Sequence, residues 1–200
     1  MIGMTMLALA IGVALIAGWR LYLCIVVVGL TMHAGWLDFP AYLYRMGIVA
    51  DPWVLGSAAA LLIVETVADK IRWLDSLWDA VHTVIRPLGA ALLALAIGDP
   101  PAPLWQVGIF LLGGAAGLYS HAAKATMRAL ANAAARPLNT VLLSLAEDIA
   151  AVLLLAIALL HPFGACGVAT LMLLLDGALL LAARGRIRRL LGGEDGLEHS

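Results

Sequence analysis

Charge is what this sequence has least of. Asp, Glu, Lys and Arg make up 12% of its 200 residues, about half the share found in an ordinary soluble domain. The net charge of −1 gives no bulk field to attract a nucleic acid or an acidic polymer. Cysteine is almost missing as well. Cys24 and Cys166 each lie inside an apolar run, so they read as small packing residues and exclude any paired-cysteine metal or redox motif. No phosphate-cradling glycine loop, Gly-x-Ser-x-Gly elbow or His-Glu-x-x-His pair occurs, so no catalytic residue and no cofactor is assigned. The opening Met1-Ile2-Gly3-Met4-Thr5 lacks the basic stretch of a cleaved secretory signal and reads as the start of a first membrane segment.

What is present is hydrocarbon. The chain is 64% hydrophobic with a mean hydropathy of +1.01, more than a soluble core of this length can absorb, so lipid must solvate most of its surface. The expected fold is all-α: a polytopic transmembrane bundle of about seven segments, some short, plus one interfacial amphipathic helix. Residues 1–183 form a single transmembrane domain, followed by a basic and then acidic tail, 184–200. A crossing helix needs about 20 apolar residues. The run from Ile2 to Trp36 is too long for one crossing and divides at Gly18-Trp19-Arg20 into Ile2 to Gly18 and Leu21 to Gly35. A third segment starts at Pro52, a good first-turn residue, and must carry Glu65 and Asp69 with it. Leu88 to Gly98 is a short fourth; Leu104 to Lys124, Leu138 to Leu160 and Phe163 to Ala183 complete the set.

Lys and Arg orient these segments. Arg184, Arg186, Arg188 and Arg189 put the C-terminus in the cytoplasm. Counting back through seven crossings places Lys124, Arg128, Arg136, Lys70, Arg72, Arg86 and Arg20 on the same side, only Arg45 opposite, and the N-terminus outside. Between the third and fourth segments, Arg72, Asp75, Asp79, His82 and Arg86 recur every three or four residues with Trp73, Leu74, Leu77, Trp78, Val81 and Ile85 on the remaining faces. That pattern predicts an interfacial helix over about 71–86 with its tryptophans at headgroup level.

Three runs carry a resemblance. Glu65-Thr66-Val67-Ala68-Asp69-Lys70 leads into Trp73 to Thr83 and Ile85-Arg86-Pro87; Ser120-His121-Ala122-Ala123-Lys124 leads to Arg128; Ser144-Leu145-Ala146-Glu147-Asp148 follows. Together they resemble the bacterial membrane protein family catalogued as domain of unknown function 4126, over about Gly18 to Pro162. Arg72 departs from the Pro or Gly expected after the Lys-Ile pair. The resemblance implies a polytopic protein of the bacterial inner membrane and brings no activity with it.

Four constellations could carry chemistry. Glu147 and Asp148 sit near the middle of an apolar segment, where each ionised carboxylate costs about 2.5–3.5 kcal/mol. They read as a proton or cation site, or as ion-pair partners of Arg20, Lys124 or Arg128 that fix packing. Glu65 and Asp69, four apart beside Lys70, read as an inner acidic gate or as acids neutralised at a helix end. His121, Lys124 and Arg128 share a face that could cradle an anion or anchor anionic phospholipid at the cytoplasmic surface. Asp75, Asp79 and His82 have spacing suited to a metal or a proton relay, or form a solvated face. Gly113, Gly114 and Gly117 form a small-residue packing face, and Asp176 is a packing partner or cytoplasmic-end acid. These readings favour a small carrier with an acidic intramembrane site. The alternatives are a membrane-embedded enzyme acting on a lipid headgroup, with His121 or His82 as acid or base, and a non-catalytic assembly protein. Beyond the lipid bilayer, the partner expected is a second copy of the chain.

Overall fold

A computed structural model describes residues 2–36, 41–98, 100–133 and 137–192. These residues form six α-helices and no strand: α1 (Ile2–His33), α2 (Pro52–Ala68), α3 (Arg72–Gly98), α4 (Pro103–Ala133), α5 (Pro137–Leu160) and α6 (Pro162–Gly192), with a 3-10 stretch, Ala41–Ala50, before α2. Three stretches, Met4–His33, Trp73–Gly98 and Phe163–Arg186, are long and apolar enough to cross a membrane. The seven expected segments therefore become six helices, of which three meet that standard by themselves.

α1 is broken where the sequence divides it. Arg20 has non-helical angles (φ −141°, ψ 73°), and the neighbours on either side show that the chain folds back there. Before the break, Gly12 packs on Ala165 and Ala169, Gly18 on Gly117 and Ser120, and Trp19 carbonyl accepts from Lys124. That arm runs parallel to α4 and α6. After it, Leu21 meets Gly89, Tyr22 reaches His82 and Gly29 lies against Val49, so the second arm runs with α3, which is antiparallel to α4. Gly18 is required at the turn: a Cβ there would collide with the Gly117 carbonyl and the Ser120 side chain. Both arms sit at the centre, and α1 touches every other helix.

α2 starts at Pro52 under a cap in which Asp51 Oδ1 accepts from the amides of Trp53 (2.9 Å) and Val54 (3.3 Å). α3 and α4 make the closest pairing in the molecule. Gly113 faces Ala94 and Gly117 faces Ala90 at distances that exclude any larger residue, so the Gly113–Gly117 face does pack helices, as small residues do in lipid.

The separate interfacial helix does not exist. Residues 72–98 are one helix with Pro87 inside it, and the short Leu88 to Gly98 run is its second half. Its polar stripe points inward: Asp75, His82 and Arg86 are buried, while Trp73, Leu77, Val81, Val84 and Ile85 are exposed. The same inversion holds around the bundle, where Trp53, Ile63, Leu104, Leu111, Leu153 and Leu174 lie on the outside. An apolar surface over a charged interior is the reverse of a soluble fold, and it is what a hydrocarbon solvent selects. α6 continues to Gly192, so the basic part of the expected tail is helical; 193–200 lie outside the described residues.

Candidate functional site

Every helix contributes to one buried polar layer. Trp19 and Arg20 come from α1, Glu65 and the cap residue Asp69 from α2, and Asp75, Asp79, His82 and Arg86 from α3. α4 supplies Ser120, His121, Lys124 and Arg128; α5 supplies Ser144, Glu147 and Asp148; α6 supplies Asp176. Arg20, Glu65, Arg86 and Asp176 are all 0% exposed.

Arg20, projected by the break in α1, is the hub. Its Nη1 donates to Asp69 Oδ2 at 2.5 Å, its Nη2 donates to Ser144 Oγ at 2.7 Å, and its Nε lies 2.7 Å from Asp148 Oδ1. Glu65 and Glu147 stand at 3.5 and 3.6 Å. Arg128 forms a forked pair with Glu147, Nη2 to Oε2 at 2.7 Å and Nε to Oε1 at 3.4 Å, the two-pronged geometry that a guanidinium makes with a carboxylate. Its Nη1 reaches Asp75 at 2.9 Å and Asp69 at 3.0 Å. Arg86 binds Glu65 at 2.5 Å and Asp79 at 3.3 Å. Lys124 donates to the Trp19 carbonyl at 2.9 Å and lies 3.7 Å from both Glu65 and Glu147. Glu147 thus meets all three cations that its position in the sequence suggested as partners.

The histidines are held from both sides. Arg86 donates to His121 Nδ1 at 2.8 Å, so that nitrogen accepts and Nε2–H points to Thr83 Oγ1 and the Asp79 carbonyl, each at 3.2 Å. His82 Nδ1–H donates to the Trp78 carbonyl at 2.7 Å, leaving Nε2 to accept from the Tyr22 hydroxyl at 2.8 Å. Both ring nitrogens of each histidine are thus hydrogen-bonded within the protein.

Glu65, Asp69, Arg20, Glu147, Asp148, Lys124, Arg128 and His121 are brought together. Lys70 is not: it is exposed and its Nζ returns to the Thr66 carbonyl at 3.0 Å. Asp75, Asp79 and His82 each meet a different neighbour. Asp75 is taken by Arg128, Asp79 by Arg86 and His82 by Tyr22, and among the described residues no three His, Cys, Asp or Glu side chains converge on a metal position. Of the three residues on the His121 face, Lys124 and Arg128 point inward at carboxylates, and His121 meets Arg86, the Thr83 hydroxyl and the Asp79 carbonyl. Asp176 accepts from Trp19 Nε1 at 2.9 Å, which makes it a packing partner of the α1 turn. Arg72 and Arg136 side chains lie outside the described ones.

Tyr22, Ser144, Trp19 and Trp78 also join the layer; in the sequence Ser144 stood only within a motif, Trp19 only at the turn and Trp78 only on an apolar face. Tyr22 and Trp19 flank Arg20 and were legible only as its neighbours. Ser144 lies one turn before Glu147 and Asp148, a spacing that puts it on their face.

Among the described residues, the layer has four cations, Arg20, Arg86, Lys124 and Arg128, facing six carboxylates. The two outermost acids are partly open: Asp79 side chain is 12% exposed and Asp148 29%. A cleft of about 190 Å³ lined by Asp75, Ser76, Asp79 and Arg128 opens beside it between α3 and α4.

An all-α fold with an apolar exterior, three helices fit to cross a bilayer and a charged interior defines a helical membrane protein. The chain belongs to the family described as Domain of unknown function (DUF4126), whose profile matches residues 7–182. No curated protein and no solved structure matches it.

Proposed function

We propose that this protein is a small seven-pass membrane carrier whose charged layer takes up and releases a proton or another small cation. The seven passes are the two arms of α1 and α2 to α6. The observation that carries the proposal is a continuous chain of buried ion pairs, joining five helices, that ends in two partly exposed carboxylates, Asp79 and Asp148. Packing alone does not call for it, since well-packed apolar residues commonly replace buried ion pairs at no loss of stability. Ionisable groups within membrane helices mark ion and proton routes. Because each cation faces carboxylates, an arriving cation or proton is favoured over the anion that a basic mouth suggests.

In this reading the chain lies in a bacterial inner membrane. The end bearing exposed Lys70, Arg184 and Arg186 faces the cytoplasm and anionic phospholipid, and exposed Trp36, Trp53, Trp105 and Phe163 form the aromatic girdle outside. A packing-only role is the second reading, supported by the pairing of every cation. Reconstituted vesicles separate the two. Asp148→Asn is expected to reduce proton or cation flux at least tenfold while shifting the thermal midpoint little; unchanged flux contradicts the carrier.

A further inference from the structure

The six carboxylates of the layer each face an arginine. Asp176 faces none. It lies near the middle of the Phe163–Arg186 span and is 0% exposed. The one hydrogen bond it receives is from a neutral donor, Trp19 Nε1 to Oδ1 at 2.9 Å. Asp176 Oδ2 is buried with no partner, and so is Oγ of Ser120, its neighbour on α4.

The charged groups on the helices packed against α6 are engaged elsewhere. On α1, Arg20 directly follows Trp19, but its guanidinium turns to Asp69, Ser144 and Asp148. On α4, Lys124 comes one turn after Ser120; its ammonium donates to the Trp19 carbonyl at 2.9 Å and lies between Glu65 and Glu147. The Tyr119 hydroxyl donates to the Leu173 carbonyl at 3.1 Å. On α5, Glu147 and Asp148 face Arg20 and Arg128. Along α6 itself, Arg184 and Arg186 are exposed and more than two turns away.

A carboxylate in a membrane interior needs a cation or several donors to replace its water. Asp176 has a single neutral donor. Two oxygens beside an indole N–H also fall short of the roughly six oxygens that a hard metal ion takes. A proton answers both needs. It removes the charge, and as the O–H of a carboxylic acid it makes Oδ2 a donor on the side of the unpartnered Ser120 hydroxyl.

We propose that Asp176 is a proton-binding site apart from the charged layer, occupied at neutral pH, with Oδ1 accepting from Trp19 and the proton on Oδ2 beside Ser120. Trp19 ties this site to the layer, since its ring meets Asp176 and its carbonyl meets Lys124. Loss of the proton would set an uncompensated charge against the turn of α1. The proposal does not rest on the carrier reading, because the proton is bound whether or not the layer moves ions.

The test is the infrared spectrum of the full chain in detergent at neutral pH, in the region where the C=O of a protonated carboxyl absorbs. Aspartates in water are ionised there and do not contribute. Wild type is expected to show a band, shifted in heavy water, that Asp176→Asn lacks. That variant keeps the shape of the side chain and an oxygen for Trp19. Trp19→Phe, which removes the donor to Oδ1, should move the band to higher frequency, and Ser120→Ala should move it without removing it. Asp148→Asn should leave it in place, so a failure of the carrier and a failure of this site are told apart. Identical spectra of wild type and Asp176→Asn overturn the proposal, because Asp176 is then ionised. If Asp176→Asn does not fold, Trp19→Phe and Ser120→Ala decide: a shifted band supports the site, and a band that neither variant moves overturns it.

Discussion

The two halves of the α3–α4 pair hold together by opposite means. From Pro87 onward, the methyl groups of Ala90 and Ala94 press against Gly117 and Gly113 with no room for a side chain there. Before Pro87, the same two helices are bridged by long charged side chains: Arg86 to His121, and Asp75 to Arg128. In lipid, where no hydrophobic force separates helix from solvent, close packing and polar bonds are the two ways helices associate. This pair uses one in each half. The tight half fixes the distance between the helices, and the charged half bridges it with side chains.

The sharpest way to break that division is to remove a cation from the charged half. Arg128→Ala removes a cation that meets Asp69, Asp75 and Glu147, leaving Asp69 to Arg20 and Glu147 to Arg20 and Lys124, and breaking a buried pair from one side costs about 3–5 kcal/mol. Collapse of folded yield or of the thermal midpoint in detergent is expected; a near-normal midpoint would mean that the layer is looser than its distances state. Next comes overpacking of the tight half. Gly117→Leu places a side chain where Ala90 stands, and overfilling a packed contact costs about 1–3 kcal/mol. The midpoint should drop, and flux should fall only in proportion to folded protein. Tyr22→Phe removes one neutral hydrogen bond to His82, worth about 0.5–1.5 kcal/mol, a loss visible as a midpoint shift of a few degrees at most. The smallest stability effect is expected at the rim, where Asp148→Asn keeps the side chain's shape and Arg20 retains Asp69, Glu65 and Glu147 as carboxylate partners. A large midpoint change there would make Asp148 structural and sink its assigned role.

Some of this was legible in the sequence, and the reasons differ by residue. The break at Arg20 followed from the length of the apolar run and the Gly18-Trp19-Arg20 punctuation, and Pro52 announced the start of α2. The partners of Glu147 could be named because few cations exist to choose from. The polar stripe of α3 shows the limit. Period 3.6 locates Asp75, Asp79, His82 and Arg86 on one face but does not say whether that face meets water or the interior, because an amphipathic pattern carries no sign. Read as a surface helix, the stripe pointed outward. In a bundle solvated by lipid it points inward, and the apolar faces of Leu77, Val81 and Ile85 take the outside. Lys124 and Arg128 likewise share a face by spacing, and spacing alone does not say that this face meets Glu65, Asp69 and Glu147. The tight turn of α1, which lets Arg20 reach Ser144 and Asp69 at once, depends on pairing between segments more than 40 residues apart, which no local pattern encodes.

The central claim is that the buried charges are there to work and not only to pack. It is tested most directly by replacing one pair with apolar residues of similar size, Glu65→Leu together with Arg86→Met, and measuring ion flux in vesicles beside the thermal midpoint in detergent. Paired removal keeps the net charge and leaves Arg20 and Lys124 with Asp69 and Glu147, so the loss falls on the partly exposed Asp79 and on His121. The account predicts a folded protein, its midpoint within a few degrees of wild type, with flux lost. A folded double variant with flux equal to wild type would contradict it and make the layer a packing device.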